Sequence, residues 1–452
     1  MESFFTKDKR FYRMLFRLIA VITLQNLVAY SVNMLDNIML GGYDQNALSG
    51  AATVNQIFFL VQQLSLATGN ALVAMASQYW GKRQTEPIRQ LTGIALSFSL
   101  FLGVIIFAVC SLFPTEILGI FTTSPEIVEE GAAYLAILKW TFVEFLISNL
   151  LICALRSVET VNIAFWISVV SLVSNGICNY ALIFGHWGFP ELGVRGAACG
   201  TLVARTLELM IVLVYLAKKD KKIRLFSGGM FSGSKELTLA LAKVGGPILL
   251  SSSVWAISVP MQTAILGHLS SDAIAANSVS STFFQYLKVI VVAISSASAV
   301  VIGKDIGLGN ERRTRSDART LSVIDVCVGV VLALLLFVLR DPLLSMYRLT
   351  DEAMVLSRRF MAIMSTVMVG MSYQMPVSSG IIQGSGDSKF NMCMNLISIW
   401  LIVMPLSFLT AFVWKLPVEA VVLAVQSDQF FKCIPVFLRF RSYKWIHHLT
   451  QS

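Results

Sequence analysis

Apolar and polar residues alternate along this chain on the scale of whole helices. Windows of about 20 mostly apolar residues, the length that crosses a hydrocarbon core as an α-helix, recur from end to end with short polar gaps between them. The pattern predicts spans near 14–40, 47–76, 91–113, 131–155, 162–185, 194–217, 238–266, 273–302, 318–339, 353–382, 390–413 and 417–438. Several are longer than the hydrocarbon requires, which implies tilt, kinking or extension beyond the membrane. No large soluble domain fits between them. The expected fold class is an all-α polytopic membrane protein with twelve transmembrane helices.

Composition agrees: 56% of the 452 residues are hydrophobic and 13% are charged, outside the range of soluble globular chains. The charged segment 1–13 lacks a small-residue cleavage site after an isolated apolar core, so the first helix is expected to stay. A net charge of +9 would suggest nucleic acid in a soluble protein. Here the basic residues gather in alternate loops instead, which signals topology. One set holds Lys7, Lys9, Arg10 and Arg13; Lys82, Arg83 and Arg89; Lys218, Lys219, Lys221, Lys222 and Arg224; Arg312, Arg313, Arg315 and Arg319; and Arg439, Arg441 and Lys444. These ends are expected in the cytoplasm, with both termini, although Arg340, Arg348, Arg358 and Arg359 run against the pattern.

The chain also repeats itself. Ile38–Gly41 aligns with Ala264–Gly267, Ala47-Leu48 with Ala273-Ile274, Phe58 with Phe284, and Gly81 with Gly307, all at an offset of 226. Further on, LRSVETVNIAF from Leu155 resembles IQGSGDSKFNM from Ile382, at an offset of 227. Six helices per repeat start both halves from the same side, so the bundles are expected to be related by a pseudo-twofold axis along the membrane normal, with a cavity between them opened alternately to each side. The basic, Gly/Ser-containing run KKDKKIRLFSGGMFSGSK begins at Lys218 and reads as a solvated tether. The expected organisation is an N-terminal lobe over 1–217, a cytoplasmic linker over 218–237 and a C-terminal lobe over 238–452.

Ionisable groups inside spans cost several kcal/mol to insert and are functional candidates by default. Asp36 leads, with Asn33 one turn before it on roughly the same face. A carboxylate there can hold either a proton or a sodium ion. Asn175 and Asn179 are one turn apart, and their amides offer hard oxygen ligands or tuning hydrogen bonds, or simply hold helices together. Glu144 sits mid-span with Lys139 as an imperfectly spaced partner; Arg205 with Glu208, and Asp428 with Lys432, have the spacing of neutralising pairs. Lys288 can snorkel or pair. Aromatic and Met residues, among them Trp255 and Tyr373, suit lipophilic cations wherever they face a cleft. Pro247, Pro260, Pro376 and Pro435 offer bending points. The seven cysteines lack paired spacing and are expected to pack rather than bridge or bind metal. There is no Walker loop and no HExxH or GxSxG motif, which disfavours ATP coupling and enzymatic chemistry in the chain.

In order, the chain reads VNMLDNIMLG at 32–41, a second-helix run from Ala47 to Gly81 closing with QYWGKR, NGICNYALIFGHWGFPELGVRGAACGT at 175–201, LGHLSSDAIAANSV from Leu266, and IIQGSGD at the end of the tenth helix. This succession resembles the multidrug and toxic compound extrusion (MATE) family of antiporters over nearly the whole chain. The resemblance implies export of cationic or amphipathic small molecules in exchange for inward H+ or Na+, by a monomer in the cytoplasmic (inner) membrane of a bacterium. No other cofactor, no metal and no nucleic acid are expected, and lipid is the surrounding partner. It also implies that Asp36, Asn175, Asn179 and Thr201 form an N-lobe cation site. Substrate-cavity candidates are Asn33, Glu144, Trp255, Gln262 and Tyr373. The second half departs from some family members, because Trp255 and Ser372 stand where membrane-embedded carboxylates would be and Gln262 corresponds to Asp36 at the 226 offset. Cation coupling is therefore expected in the first half. Competing expectations are a flippase for a lipid-linked precursor, which would need a strongly cationic cavity, and a membrane-embedded enzyme.

Overall fold

The computed structural model describes residues 5–122, 124–267, 271–345, 347 and 349–450. Residues 268–270 of the LGHLSSDAIAANSV motif and Arg348 of the orientation pattern lie outside them. Among the described residues the secondary structure is entirely helical, and twelve helices are long and apolar enough to cross a membrane. They are α1 (Lys9–Gly41), α2 (Gln45–Gly81), α3 (Thr85–Leu112), α4 (Pro125–Ser157), α5 (Asn162–Ile183), α6 (Val194–Lys218), α7 (Lys235–Leu266), α8 (Ala276–Gly307), α9 (Glu311–Leu344), α10 (Asp351–Ile382), α11 (Ser388–Val413) and α12 (Val418–Ser442). Each coincides with one predicted span.

The helices outlast their apolar windows because backbone hydrogen bonding, not hydropathy, decides where a helix stops. Asp44 caps α2 by accepting from the Ala47 amide at 2.9 Å, Asn310 caps α9 through the Arg313 amide at 3.1 Å, and Thr350 caps α10 through the Ala353 amide at 3.2 Å. Pro247 and Pro260 sit inside α7 without ending it. Pro376 opens a π-helical stretch, Pro376–Ile382, and α11 holds two more, Ile397–Val403 and Leu409–Val413.

The chain divides into two compact units, Leu24–Ala242, and Met1–Thr23 with Lys243–Ser452. In the first, α4 packs against α2, α3 and α6, and α5 against α6. Its core holds Val54, Phe58, Phe142, Leu146 and Ala197, with Phe58 and Phe142 stacked at 5.8 Å. In the second, α10 packs against α8 and α9 around Val291, Leu336, Met364 and Met368. The pairing of the fourth helix with the second and third is thus repeated in each half, as the internal repeat implies.

Two expectations change. The stretch read as a solvated tether is docked on its own unit: Ile223 and Leu225 are each 1% exposed. The Asp220 carboxylate accepts from the amides of Lys222, Ile223 and Arg224, Lys222 donates to the Val158 carbonyl, and Arg89 donates to Ser227. Ile223 and Leu225, the buried apolar residues of the basic run, supply the reason, since burying them anchors the charged neighbours. All seven cysteines are free, but only Cys110 and Cys153 are buried, while Cys327 and Cys393 are exposed. A thiol is apolar enough to stand on the outer face of a span.

Candidate functional site

The site is built where α6 lies unusually close to α5. Gly196 and Gly200, one turn apart on α6, make this possible: a Cβ at Gly196 would sit 2.4 Å from the Leu182 carbonyl, and one at Gly200 would sit 2.1 Å from Asn179 Oδ1. On the other side, Gly176 of α5 admits Leu35 of α1. Small residues thus bring three helices together around Asp36, Asn175, Asn179 and Thr201, all of them buried.

The four side chains form one hydrogen-bonded cluster. Asn179 Nδ2 donates to Asp36 Oδ1 and, at 3.3 Å, to Asn175 Oδ1. Thr201 Oγ1 donates to Asp36 Oδ2 at 3.4 Å and accepts from Asn175 Nδ2 at 3.3 Å. Asn179 Oδ1 has no hydrogen-bond partner. Tyr134 of α4 adjoins Thr201. Every direct donor to the carboxylate is neutral. The positive charge that acts on it, Arg205, lies one turn beyond Thr201, is paired to Glu208 at 2.8 Å, and rests 5.0 Å from the centroid of Phe145.

This arrangement permits two exclusive occupancies. A proton on Asp36 neutralises it in place. Alternatively, the ionised carboxylate, the free Asn179 Oδ1, Asn175 Oδ1 and Thr201 Oγ1 present hard oxygens to a small cation. No group of three or more His, Cys, Asp or Glu residues suited to a metal occurs among the described residues.

The other candidates are dispersed. Asn33 is exposed and takes no part in the Asp36 cluster. Glu144 is half-buried and accepts from Thr206 Oγ1 at 2.9 and 3.1 Å, whereas Lys139 lies over the Phe107 ring. Ser148 donates to Glu208, which completes a polar seam between α4 and α6. In the second unit, Trp255 lies 5.2 Å under the Lys288 ammonium, Gln262 is half-buried, and the Tyr373 hydroxyl has no hydrogen-bond partner. Asp428 and Lys432 form the spaced pair at 2.9 Å. Three buried acids fall outside every motif considered from sequence: Asp305 and Asp317, which lie 3.3 and 3.4 Å from Arg313, and Asp325 of α9, 0% exposed. For Asp325 the signal was available, the single carboxylate inside the predicted span 318–339.

The family model MatE matches the chain twice, over residues 22–181 and 247–409, once in each half of the repeat. The probable multidrug resistance protein NorM of Thermotoga maritima is 24% identical over 425 residues, which cover 93% of this chain and 90% of that protein. The probable multidrug resistance protein YoeA of Bacillus subtilis is also 24% identical, over 83% of this chain and 81% of its own length. Among solved structures, the MATE transporter VcmN of Vibrio cholerae in its bent form superposes with a TM-score of 0.85 at 18% identity, covering 96% of this chain and 97% of that one. An outward-facing multidrug resistance MATE transporter of the MOP superfamily gives 0.86 at 17% identity, covering 97% and 98%; these likenesses establish the shared fold. With twelve spans in place and a family model matched across both halves, the chain belongs to the MatE family of multi-pass membrane transporters and is not an enzyme.

Proposed function

We propose that this transporter is a secondary antiporter of the cytoplasmic membrane, with both termini inside, that exports organic cations, drugs or other amphipathic compounds against inward H+ or Na+ by alternating access. The observation that carries this reading is the Asp36 cluster: a buried carboxylate in a span, held only by neutral amide and hydroxyl groups, is built to exchange its charge state. Asp36, Asn175, Asn179 and Thr201 are the proposed cation site. Occupancy by a proton or sodium ion favours one orientation of the transporter, and substrate favours the other. Glu144 and Asn33 in the first unit, and Trp255, Gln262 and Tyr373 in the second, are the proposed substrate contacts. The multidrug names of the relatives support the substrate class. The flippase alternative gains little, since Asp428 neutralises Lys432 and leaves Lys288 against an aromatic ring.

The test is ethidium efflux from proteoliposomes under separately imposed proton and sodium gradients. Wild-type protein is expected to respond to at least one gradient, and Asp36→Asn to lose that response while still binding ethidium. Full gradient-driven transport by Asp36→Asn would remove Asp36 from the coupling role. Wild-type transport that ignores both gradients would end the antiport reading.

A further inference from the structure

Asp325 lies in the middle of α9, fully buried, and neither of its carboxyl oxygens has a hydrogen-bond partner. It is not alone in this. Ser372 Oγ and Tyr373 Oη, on α10, are likewise buried and unpartnered. The register between the two helices is set by Gly329, where a Cβ would come 2.6 Å from that of Ser372. α9 and α10 are consecutive and run in opposite directions. Asp325, one turn before Gly329, therefore comes level with the region one turn after Ser372, where Pro376 opens the π-helical stretch, and α9 touches that stretch. Proline has no N–H to offer the carboxyl. The same interface continues beyond Gly329 as an apolar cluster of Leu332, Leu336, Met364 and Met368.

Among the described residues no charged group acts on Asp325. Tyr373 is the titratable side chain that feels Asp325, and it also feels Cys433 of α12. Lys288 of α8 interacts with Asp428 and Lys432 of α12. An isolated carboxylate anion in apolar surroundings costs far more than a fold can supply, so such a group takes up a proton instead. A carboxyl kept for structure would use its O–H and C=O in hydrogen bonds. This one uses neither.

We propose that Asp325 is a proton-carrying site of the second unit, held here as the neutral acid and discharged when the α9–α10 contact beside Pro376–Ile382 opens to water. The proposal rests on the antiport reading for its physiological role, but its charge state does not. On discharge the carboxyl O–H bond breaks, the electron pair stays on the carboxylate and the proton passes to water; reprotonation reverses this. Tyr373, whose hydroxyl is unpartnered and which feels Asp325, would be the donor to the anion that forms. π turns recur where helices deform for function, which fits an opening at this level. Coupling chemistry would then reside in both halves, through unrelated residues: at the repeat offset of 226, Asp325 corresponds to Ser99 of α3, another buried hydroxyl without a partner.

Infrared difference spectra between low and high pH, recorded on the purified full-length protein in liposomes, read the carboxyl directly. Wild type should show a protonated-carboxyl band that Asp325→Asn removes and Asp36→Asn does not. Asp325→Glu keeps an acid and should shift the band, so the site can be read even when the Asn variant fails to insert. In ethidium-loaded vesicles, the protons moved per ethidium should fall in Asp325→Asn and recover in Asp325→Glu. Spectra identical in wild type, Asp325→Asn and Asp325→Glu, or a proton count that Asp325→Asn leaves unchanged, would overturn the proposal. If wild-type transport ignores every gradient, the antiport reading fails by itself, and the infrared band still decides whether Asp325 carries a proton.

Discussion

Gly200→Ala puts two effects of one methyl group in opposition. In a helix interior the substitution normally stabilises by roughly 1 kcal/mol, because alanine gives up less backbone entropy than glycine. Here the new Cβ would meet Asn179 Oδ1 at 2.1 Å, and Asn179 Cγ and backbone N at 3.2 and 3.3 Å. The amide oxygen would be about 1 Å inside ordinary contact, so the side chain must rotate away. Asn179 then loses its bond to Asp36, a hydrogen bond to a charged acceptor worth about 1.5–3 kcal/mol. Converted at 1.4 kcal/mol per decade, half-saturation should shift roughly 10- to 100-fold: to lower concentration for a proton, because the lost bond favoured the ionised carboxylate, and to higher concentration for sodium, which loses the Asn179 oxygen. The thermal midpoint in detergent should move little, because the helix gain offsets part of the loss. The assay is ethidium efflux from proteoliposomes as a function of external proton or sodium concentration, read as the half-saturating value. A double-mutant cycle with Asn179→Ala isolates the cause: once the amide is gone, the added methyl has nothing to displace, so the pair should be no worse than Asn179→Ala alone. An unchanged half-saturation in Gly200→Ala, or additive shifts in the double variant, would refute the steric argument.

Glu208→Gln leaves the nearly buried Arg205 without its counter-charge and should lower stability by about 3–5 kcal/mol, measured as a fall in melting midpoint; Arg205→Met with Glu208→Leu should recover most of it. Gly93→Val would drive a side chain into the Met230 carbonyl, 2.0 Å from the nearest Cβ position, and release the docked basic segment. Limited trypsin digestion should then cut at Lys221, Lys222 and Arg224 faster than in wild type, and equal rates would contradict the docking. Arg439→Ala strips the Nε and Nη2 donors, at 2.7 and 2.6 Å, from the mostly buried Asp387 carboxylate. It should cost about 1–3 kcal/mol in a melting assay, more than Asp387→Asn.

The number and order of the spans were legible because lipid-facing helices must be apolar over a fixed length. Their ends were less so, as α9 shows by starting at Glu311 instead of near 318: seven polar residues remain helical because Asn310 caps them. The Asp36 cluster was legible through spacing, since Asn175 and Asn179 are one turn apart, and through its motif. Asn33 shows the limit of that logic. Three residues along a helix bring a side chain to a neighbouring face, and the buried strip around Asp36 is narrower than that. Outside that motif, partners on other helices escaped. Glu144 takes Thr206 of α6 over Lys139 of its own helix, and Asp325 lay outside the motifs that directed attention elsewhere.

The π stretch in α10 also bears on how the two halves diverged. Up to Gly307 the halves align at an offset of 226, and from Ile382 at 227, so one residue has been gained in between. Within the spans of that interval, the described backbone leaves the regular α-helix at Pro376–Ile382, while the first-half counterpart α4 is α-helical throughout. A π turn is the form in which a helix absorbs one residue too many without breaking. The insertion was thus taken up as a local bulge instead of rotating the rest of α10 and carrying its buried face out to lipid. Gene duplication supplied two equal halves, and this bulge records how one of them changed length while every later helix kept its place.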